Sequence, residues 1–360
     1  MPLIHLACEG FRNLSAQTLN FSTDYNLITG ANGSGKTSLL EAIYFLGRLR
    51  SFRTHQLDNL IQTSADHFQL TGKILTPQAR PVPVGVRRTR KHQEIRLDGQ
   101  PLKNLASLVS KLPIQLIEPD SHRLLDGGPA RRRQFLDWGV FHVEQAFYPV
   151  WQQYARALKQ RNAILKTAQP VEQIQLWDKP LSEAGARITE LRTLYLGQLN
   201  TYIGENLTQL IDLDEIAIRY KPGWPNDRGL EEALSSSLEQ DRRQGFTRYG
   251  PHRADLQILV AGQPAEEHLS RGQQKQLITA LLLAQAQHYQ QLTGQHCLFL
   301  VDDLPSELDE AHRTRLLDCL RQQPSQLFVT STSAQLIPHI EWQDPKVFHV
   351  EHGKVSEMVY

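Results

Sequence analysis

The sequence predicts an α/β protein carrying a long helical insertion, and three observations carry that reading. A short apolar run, Tyr25 to Thr29, leads into a glycine-rich stretch and then into SLLEAIYFL, which has helical periodicity. Near the other end, Cys297 to Val301 is an apolar run closing on Asp302 and Asp303, the pattern of a strand buried on both faces of a parallel sheet. Between them, from Pro129 to about Ile211, apolar residues recur three and four apart, as around Leu181, Ile188, Leu191, Leu194 and Leu199.

In chain order, Leu3 to Ala7 and Tyr25 to Thr29 read as strands and Ser38 to Leu49 as a helix. Phe68 to Leu75, Val82 to Val86 and Glu94 to Leu97 read as strands of an antiparallel subdomain, the last ending in the hairpin signal Asp98-Gly99. Gly127-Gly128-Pro129 starts the helical stretch, since proline suits a first helical turn. Gln169-Pro170 divides it into two antiparallel arms, each at most ~40 residues or ~60 Å at ~1.5 Å per residue. After the turn-rich Lys221-Pro222-Gly223-Trp224-Pro225, helices and strands alternate to the end. The expected division is residues 1–128, an inserted 129–211, and 212–360, with the two outer segments sharing one sheet.

Composition bounds the function. The chain has 360 residues with Lys+Arg 39 against Asp+Glu 38, a net charge of +1, so any basic surface must be local. It is 40% hydrophobic and 21% charged, an ordinary globular balance that excludes a disordered chain. The longest apolar stretch, around Leu277 to Ala284, is about half of a bilayer span, so no membrane partner is expected. MPLIHLACEGFRN alternates in polarity and carries Glu9 where a secretory signal needs an unbroken apolar core, which points to the cytoplasm. Cys8, Cys297 and Cys319 lie far apart, without disulfide or zinc spacing. His349-Val350-Glu351-His352 falls in a strand, where positions three apart face opposite sides, so no metal beyond Mg²⁺ is expected.

Residues Gly30-Ala31-Asn32-Gly33-Ser34-Gly35-Lys36-Thr37 satisfy GxxxxGK[ST] between a strand and a helix. Glycines let successive N–H groups curl around an anion, and the following helix aims its positive end at it. Lys36 suits the β and γ oxygens of ATP and the Thr37 hydroxyl suits Mg²⁺. Asp302 is placed to hold Mg²⁺, and Asp303 to orient the attacking water as general base. Upstream, Ser270 in Leu269-Ser270-Arg271-Gly272-Gln273 is a helix N-cap and a second anion site, and Ser306-Glu307-Leu308-Asp309 follows the two acids.

GANGSGKT, LSRGQQK, LFLVDD and SELD, in this order, resemble the Walker A, signature, Walker B and D-loop elements of ABC-type ATPase heads. The resemblance implies a P-loop NTPase fold in which two copies sandwich two ATPs, Ser270 of one facing the γ-phosphate on the other's Walker A, with Asp309 in the D-loop. FRN at 11–13, LLEAIYFLGRLRSFR at 39–53, GGPARRRQFLDW at 127–138 and YGPHRADL at 249–256 narrow it: the chain resembles the RecF family of bacterial recombination mediators from Leu3 to about Thr332. That resemblance implies an ATP-dependent homodimer on duplex DNA beside single-stranded gaps. It would act with RecO and RecR to place RecA, support replication restart and SOS induction, and hydrolyse ATP weakly in a DNA-dependent way. It also implies a phosphate contact for Arg12.

Three basic clusters offer DNA contacts: Arg48, Arg50 and Arg53; Arg87, Arg88, Arg90 and Lys91; and Arg131, Arg132 and Arg133, the last also placed to brace the helical arms. No sequence-reading module is present, so binding is expected to be sequence-independent and salt-dependent. Asp303 stands where transporter engines carry Glu, Ser331 where they carry a switch His, and Arg271 in place of a signature glycine; the shorter carboxylate predicts slow hydrolysis. Gln115 and Glu118 are the candidates near the Q-loop position. The alternative function is the ATP-binding subunit of an ABC transporter, against which stand the helical insertion and the long separation of Thr37 from Ser270. The arms are too short for a coiled-coil structural protein.

Overall fold

The computed structural model describes residues 1–358 apart from 168, 212, 214, 215, 308, 324, 339 and 340, and only the backbone of Ser306 and Glu307. The expected Leu308 of the D-loop motif therefore lies outside the described residues. The chain divides into two compact units, residues 1–121 with 275–360, and residues 122–274.

The first unit holds two sheets. One is antiparallel, in the order β2-β1-β4-β5-β6-β7, from β1 (Leu3–Glu9), β2 (Gln17–Asn20), β4 (His67–Leu75), β5 (Pro81–Thr89), β6 (Gln93–Leu97) and β7 (Gln100–Pro101). Its strands alternate buried and open positions, so Phe68, Leu70, Ile74, Val82, Val84 and Val86 turn inward. The expected Asp98-Gly99 turn joins β6 to β7, both residues having positive φ (54° and 77°). The other sheet has the order β15-β14-β3-β13-β12-β8: β3 (Tyr25–Thr29), β8 (Ile114–Ile117), β12 (Leu298–Val301), β13 (Gln326–Ser331), β14 (Pro345–Glu351) and β15 (Lys354–Met358). All of these run parallel except β15. Strands β3, β12 and β13 are buried at every position, which explains the unbroken apolar run of β12 and the mostly apolar centres of the other two. The two ends of the chain thus share one sheet, as expected.

Helix α1 (Lys36–Arg48) follows β3 and buries Leu39, Leu40, Ile43, Phe45 and Leu46 in the core it shares with β1, β4, β5 and β13. Each such side chain contributes about 1.5–3 kcal/mol. Phe11, Phe45 and Phe68 meet there edge to face or tilted, at 5.1–6.4 Å between ring centres. The remaining helices of this unit are α2 (Leu105–Val109), α11 (Leu304–Glu307) and α12 (Glu310–Gln322), while the division between units falls inside α10 (Arg271–Thr293).

The second unit carries α3 (Arg123–Asp126), α4 (Pro129–Val143), α5 (Phe147–Leu165), α6 (Val171–Gln175), α7 (Asp178–Leu210), α8 (Leu230–Gln244) and α9 (Ala265–His268). It also holds a small antiparallel sheet of β9 (Ile216–Lys221), β10 (Asp255–Val260) and β11 (Gln263–Pro264). At 33 residues α7 is the longer arm, ~50 Å at ~1.5 Å per residue. The unit extends well past the expected end of the insertion at 211, because distant acids close its buried charges. Arg161 on α5 is fully buried between Asp178 (2.8 Å) and Asp241 of α8 (2.6 Å). Arg192 on α7 pairs with Asp137 of α4, and Arg132 of α4 with Asp255 of β10. Those partners draw 216–274 into the same body.

Candidate nucleotide site

Strand β3 delivers the chain into the loop Gly30–Gly35, and the loop into α1. Gly30, Gly33 and Gly35 take φ of 152°, 79° and 122°, backbone that side chains rarely adopt. A Cβ on Gly30 would stand 2.3 Å from the Val350 carbonyl oxygen, so only glycine lets the loop lie against β14. No side chain caps α1, which leaves its first N–H groups free for an anion. The Lys36 ammonium is buried and donates to the Gly30 and Ala31 carbonyls at 2.7 and 3.0 Å. Burial lowers its pKa, against the opposing pull of Asp303 and Asp302. The Ser34 hydroxyl is buried with no hydrogen-bond partner. A cationic amine held only by carbonyls, an orphan hydroxyl and open helix N–H groups fit a nucleotide's phosphates.

Sheet order brings the second half of the site to the same edge. Val301 of β12 pairs with Val329 of β13, and Thr330 of β13 with Ile28 of β3, so Asp302 emerges level with the start of the loop. Its Oδ1 accepts from the Thr37 hydroxyl at 3.1 Å and from the Thr330 hydroxyl at 2.8 Å. Burial pushes the Asp302 carboxyl up, against those two hydrogen bonds, which hold it down. A desolvated carboxylate and a hydroxyl from the opposite side of the cleft fit Mg²⁺, and Thr37 and Asp302 would be its protein ligands. Asp303 takes φ 52°, its N–H donating to Thr330 Oγ1 at 2.7 Å, a left-handed turn just past the strand end.

Other expected residues are placed differently. Arg12 does not point its guanidinium at the phosphate loop: it forms a two-pronged pair with Glu41 of α1, both bonds 2.8 Å, and donates to the Asn59 carbonyl. Glu41 is fully buried and needs that cation; Arg53 stands 3.5 Å from it and Ser51 also bonds it. The loop contact from the FRN segment is instead Asn13, which accepts from Ser38 Oγ at 2.7 Å and donates to the Gly33 carbonyl at 3.4 Å. Gln115 is buried on β8 and bonds Gln285, away from the site, whereas Glu118 lies just past β8 at the level of Asp302. Ser331 is buried and turned to the Ser333 carbonyl.

In the second unit Ser270 heads α10 as expected, in a reciprocal capping pair. Its N–H donates to Gln273 Oε1 (3.0 Å) and its hydroxyl accepts from the Gln273 N–H (3.3 Å). Ser270, Arg271 and Gly272 are exposed, and Arg271 pairs loosely with Asp126 at 3.3 Å. In the first unit Asp309 caps α12 through His312.

The basic clusters divide sharply. Arg50, Arg87, Arg90, Lys91 and Arg131 are exposed. Arg48 lies over the Tyr44 ring, Arg53 is drawn to Glu41, and Arg88 pairs with Asp58 at 2.9 Å. Arg132 and Arg133 are spent internally, on Asp255 and the Leu125 carbonyl, and on the Ala254 carbonyl. Arg132 therefore braces its unit rather than offering a free charge to DNA.

Fold and site together define a phosphate-loop ATPase head of the ABC and SMC type. A family model described as "RecF/RecN/SMC N terminal domain" matches residues 2–356, and the chain belongs to that family. The "DNA replication and repair protein RecF" of Vibrio campbellii (strain ATCC BAA-1116) is 42% identical over 358 residues, 99% of this chain and 100% of the relative. That of Chromohalobacter salexigens is 44% identical over 361 residues, 99% of each. Among solved structures, "Structure of the recombination mediator protein RecF-ATP in RecFOR pathway" superposes with a TM-score of 0.89 at 27% identity, covering 99% of this chain and 98% of that one. An SMC head bound to the C-winged helix domain of ScpA, at TM-score 0.59 and 15% identity, shares the fold. The resemblance read from FRN, GGPARRRQFLDW and YGPHRADL is thereby borne out. The transporter alternative finds no support among these relatives.

Proposed function

We infer that this protein is an ATP-switched DNA-binding protein of replication and recombinational repair in the bacterial cytoplasm. ATP lies in the Gly30–Thr37 loop with Lys36 on its β and γ oxygens, and Mg²⁺ is held by Thr37 and Asp302. Ser270 and the exposed start of α10 from a second copy cover the γ-phosphate, so ATP drives dimerisation on DNA. The dimer assists RecO and RecR in loading RecA at single-strand gaps and supports SOS induction. Asp303 orients water for slow, DNA-stimulated hydrolysis that resets the switch. Exposed Arg50, Arg87, Arg90, Lys91 and Arg131 are the cations free to meet phosphates of either duplex or gapped DNA.

The observation that carries this reading is the buried Asp302 carboxylate joined to Thr37 across the mouth of an open phosphate loop. It occurs in a chain that matches proteins named for DNA replication and repair along its whole length. Sedimentation of the protein with and without ATP and duplex DNA, at two salt concentrations, tests it. The expected result is a mass that doubles with ATP and DNA retention that falls steeply with salt. A species that stays monomeric in saturating ATP, or retention indifferent to salt, refutes it.

A further inference from the structure

We propose that the turn between β14 and β15, together with Asn13 and Gln17, is a positioning element of the nucleotide site that presets the phosphate loop before ATP arrives. This rests on the reading of Gly30–Thr37 as that site. The Gly353 N–H donates to the Ser34 carbonyl at 2.8 Å, and the Asn13 amide donates to the Gly33 carbonyl at 3.4 Å. Two consecutive carbonyls of the loop are therefore drawn outward, toward the brace. In a curled loop of this kind, carbonyls fixed outward leave the neighbouring N–H groups facing the enclosed anion.

The brace is itself tied down. The Gly353 carbonyl accepts from the Ser15 N–H at 2.9 Å and from Gln17 Nε2 at 3.0 Å, while Gln17 Oε1 accepts from the Val355 N–H at 2.7 Å. Gln17 thus clasps the turn at Gly353 and the start of β15 at Val355. Contact is backbone to backbone. Gly353 has φ 80°, and a Cβ there would fall 1.8 Å from the Asn13 carbonyl oxygen, as one on Gly30 would fall 2.3 Å from that of Val350. Glycine on both sides of this junction is what permits so close an approach. A loop with three positive-φ glycines loses much conformational freedom when it closes on a ligand. A brace that fixes it beforehand moves that loss from binding to folding.

The test uses the full chain with Gln17→Ala, Gly353→Ala and Asn13→Ala, and His349→Ala, on an exposed position of β14, as control. Affinity for ATP and for inorganic tripolyphosphate is measured by displacement of a fluorescent nucleotide, and the thermal midpoint is measured without ligand. The brace predicts that Gln17→Ala weakens ATP and tripolyphosphate by one common factor of about 3 to 10, as expected from losing two hydrogen bonds, with His349→Ala unchanged. A merely structural role lowers the midpoint but leaves the folded fraction with wild-type affinity for both ligands, and that result overturns the proposal. If Gly353→Ala fails to fold, Gln17→Ala, which forces no backbone clash and removes only side-chain bonds to the turn, decides. Wild-type protein that binds neither ligand overturns both this inference and the nucleotide reading; variants that bind like a competent wild type overturn the brace alone.

Discussion

Replacing Asp302 by Asn separates what the carboxylate does for the fold from what it does for the site. Both hydroxyls that reach it, from Thr37 and Thr330, converge on the same oxygen, Oδ1. An asparagine carbonyl in that position keeps both bonds, while the charge disappears. Burial raises the carboxyl pKa above 3.8, so the folded state holds its proton more tightly than the unfolded chain does. The cost is absent below the unfolded value, grows as pH rises from there to the folded one and is full above it, so at neutral pH the ionised group opposes folding. Asp302→Asn therefore stabilises the ligand-free protein at pH 7, by the about 0.5–2 kcal/mol usual when a functional residue is relieved of such a burden. The thermal midpoint moves up by a few degrees, and the difference from wild type closes as pH falls toward 4. The site responds in the opposite direction. An uncharged oxygen is a poor Mg²⁺ ligand, so affinity for Mg-ATP drops at least about tenfold, or ~1.4 kcal/mol, while ATP in chelator binds as well as before or better. Calorimetric titration of ATP with and without Mg²⁺, beside melting curves at three pH values, measures both. A variant less stable than wild type at pH 7, or one with an unchanged Mg²⁺ requirement, refutes the assignment.

Lys36→Ala removes the only amine in the loop and should abolish nucleotide binding; normal ATP affinity in an equilibrium assay would show the loop is misread. Ser270→Arg should leave ATP binding by the single chain intact and eliminate the ATP-induced dimer, and light scattering that still finds the dimer contradicts the composite site. Asp241→Ala leaves the fully buried Arg161 with Asp178 as its remaining acid and should cost about 1.5–3 kcal/mol for the lost charge-assisted bond, read by urea unfolding of the second unit. Arg131→Ala should weaken duplex DNA at low salt without changing the melting point, whereas Arg132→Ala should lower the melting point through lost bonds to Asp255; the reverse pattern would reassign the cluster.

What the sequence made legible was local. The phosphate loop announces itself because GxxxxGK[ST] between a strand and a helix is a contiguous demand on backbone shape. LFLVDD announces itself because a strand buried on both faces is mostly apolar, so two acids directly after such a run stand out at its carboxyl end. Residues whose role depends on a distant partner were not legible. Arg12 looks like a phosphate ligand until Glu41, on the next helix, proves to be buried and in need of a cation. Arg132 and Arg131 are neighbours in sequence, yet only the first faces Asp255, more than a hundred positions away. Gly353 touches the site through its backbone N–H, and Gln17 reaches Gly353 from an edge strand more than three hundred positions away, so no local side-chain pattern marks such contacts. The helical insertion was visible as periodicity to Ile211, but its extent to 274 depends on Asp241 and Asp255, whose charges are matched only in three dimensions.

Burial of carboxylates distinguishes the site from the scaffold on physical grounds alone. Glu41, Asp178, Asp241 and Asp302 are the acids buried among the described residues. Glu41 has Arg12 at 2.8 Å, and Asp178 and Asp241 share Arg161 at 2.8 and 2.6 Å. Such pairing is what a low-dielectric interior demands, since an isolated ion there is strongly unfavourable. Asp302 alone has no ion-pair partner; two hydroxyls are all that reach its oxygen. A scaffold selected only for stability would have supplied an arginine, as Arg12 and Arg161 serve the other three buried acids among the described residues. A carboxylate that feels Lys36 and Arg53 only at a distance, at the mouth of a loop whose N–H groups await an anion, makes sense where a closer cation arrives with the ligand. The protein is then most complete when magnesium and triphosphate enter together, which couples the stability of the first unit to the nucleotide state that the proposed switch reads.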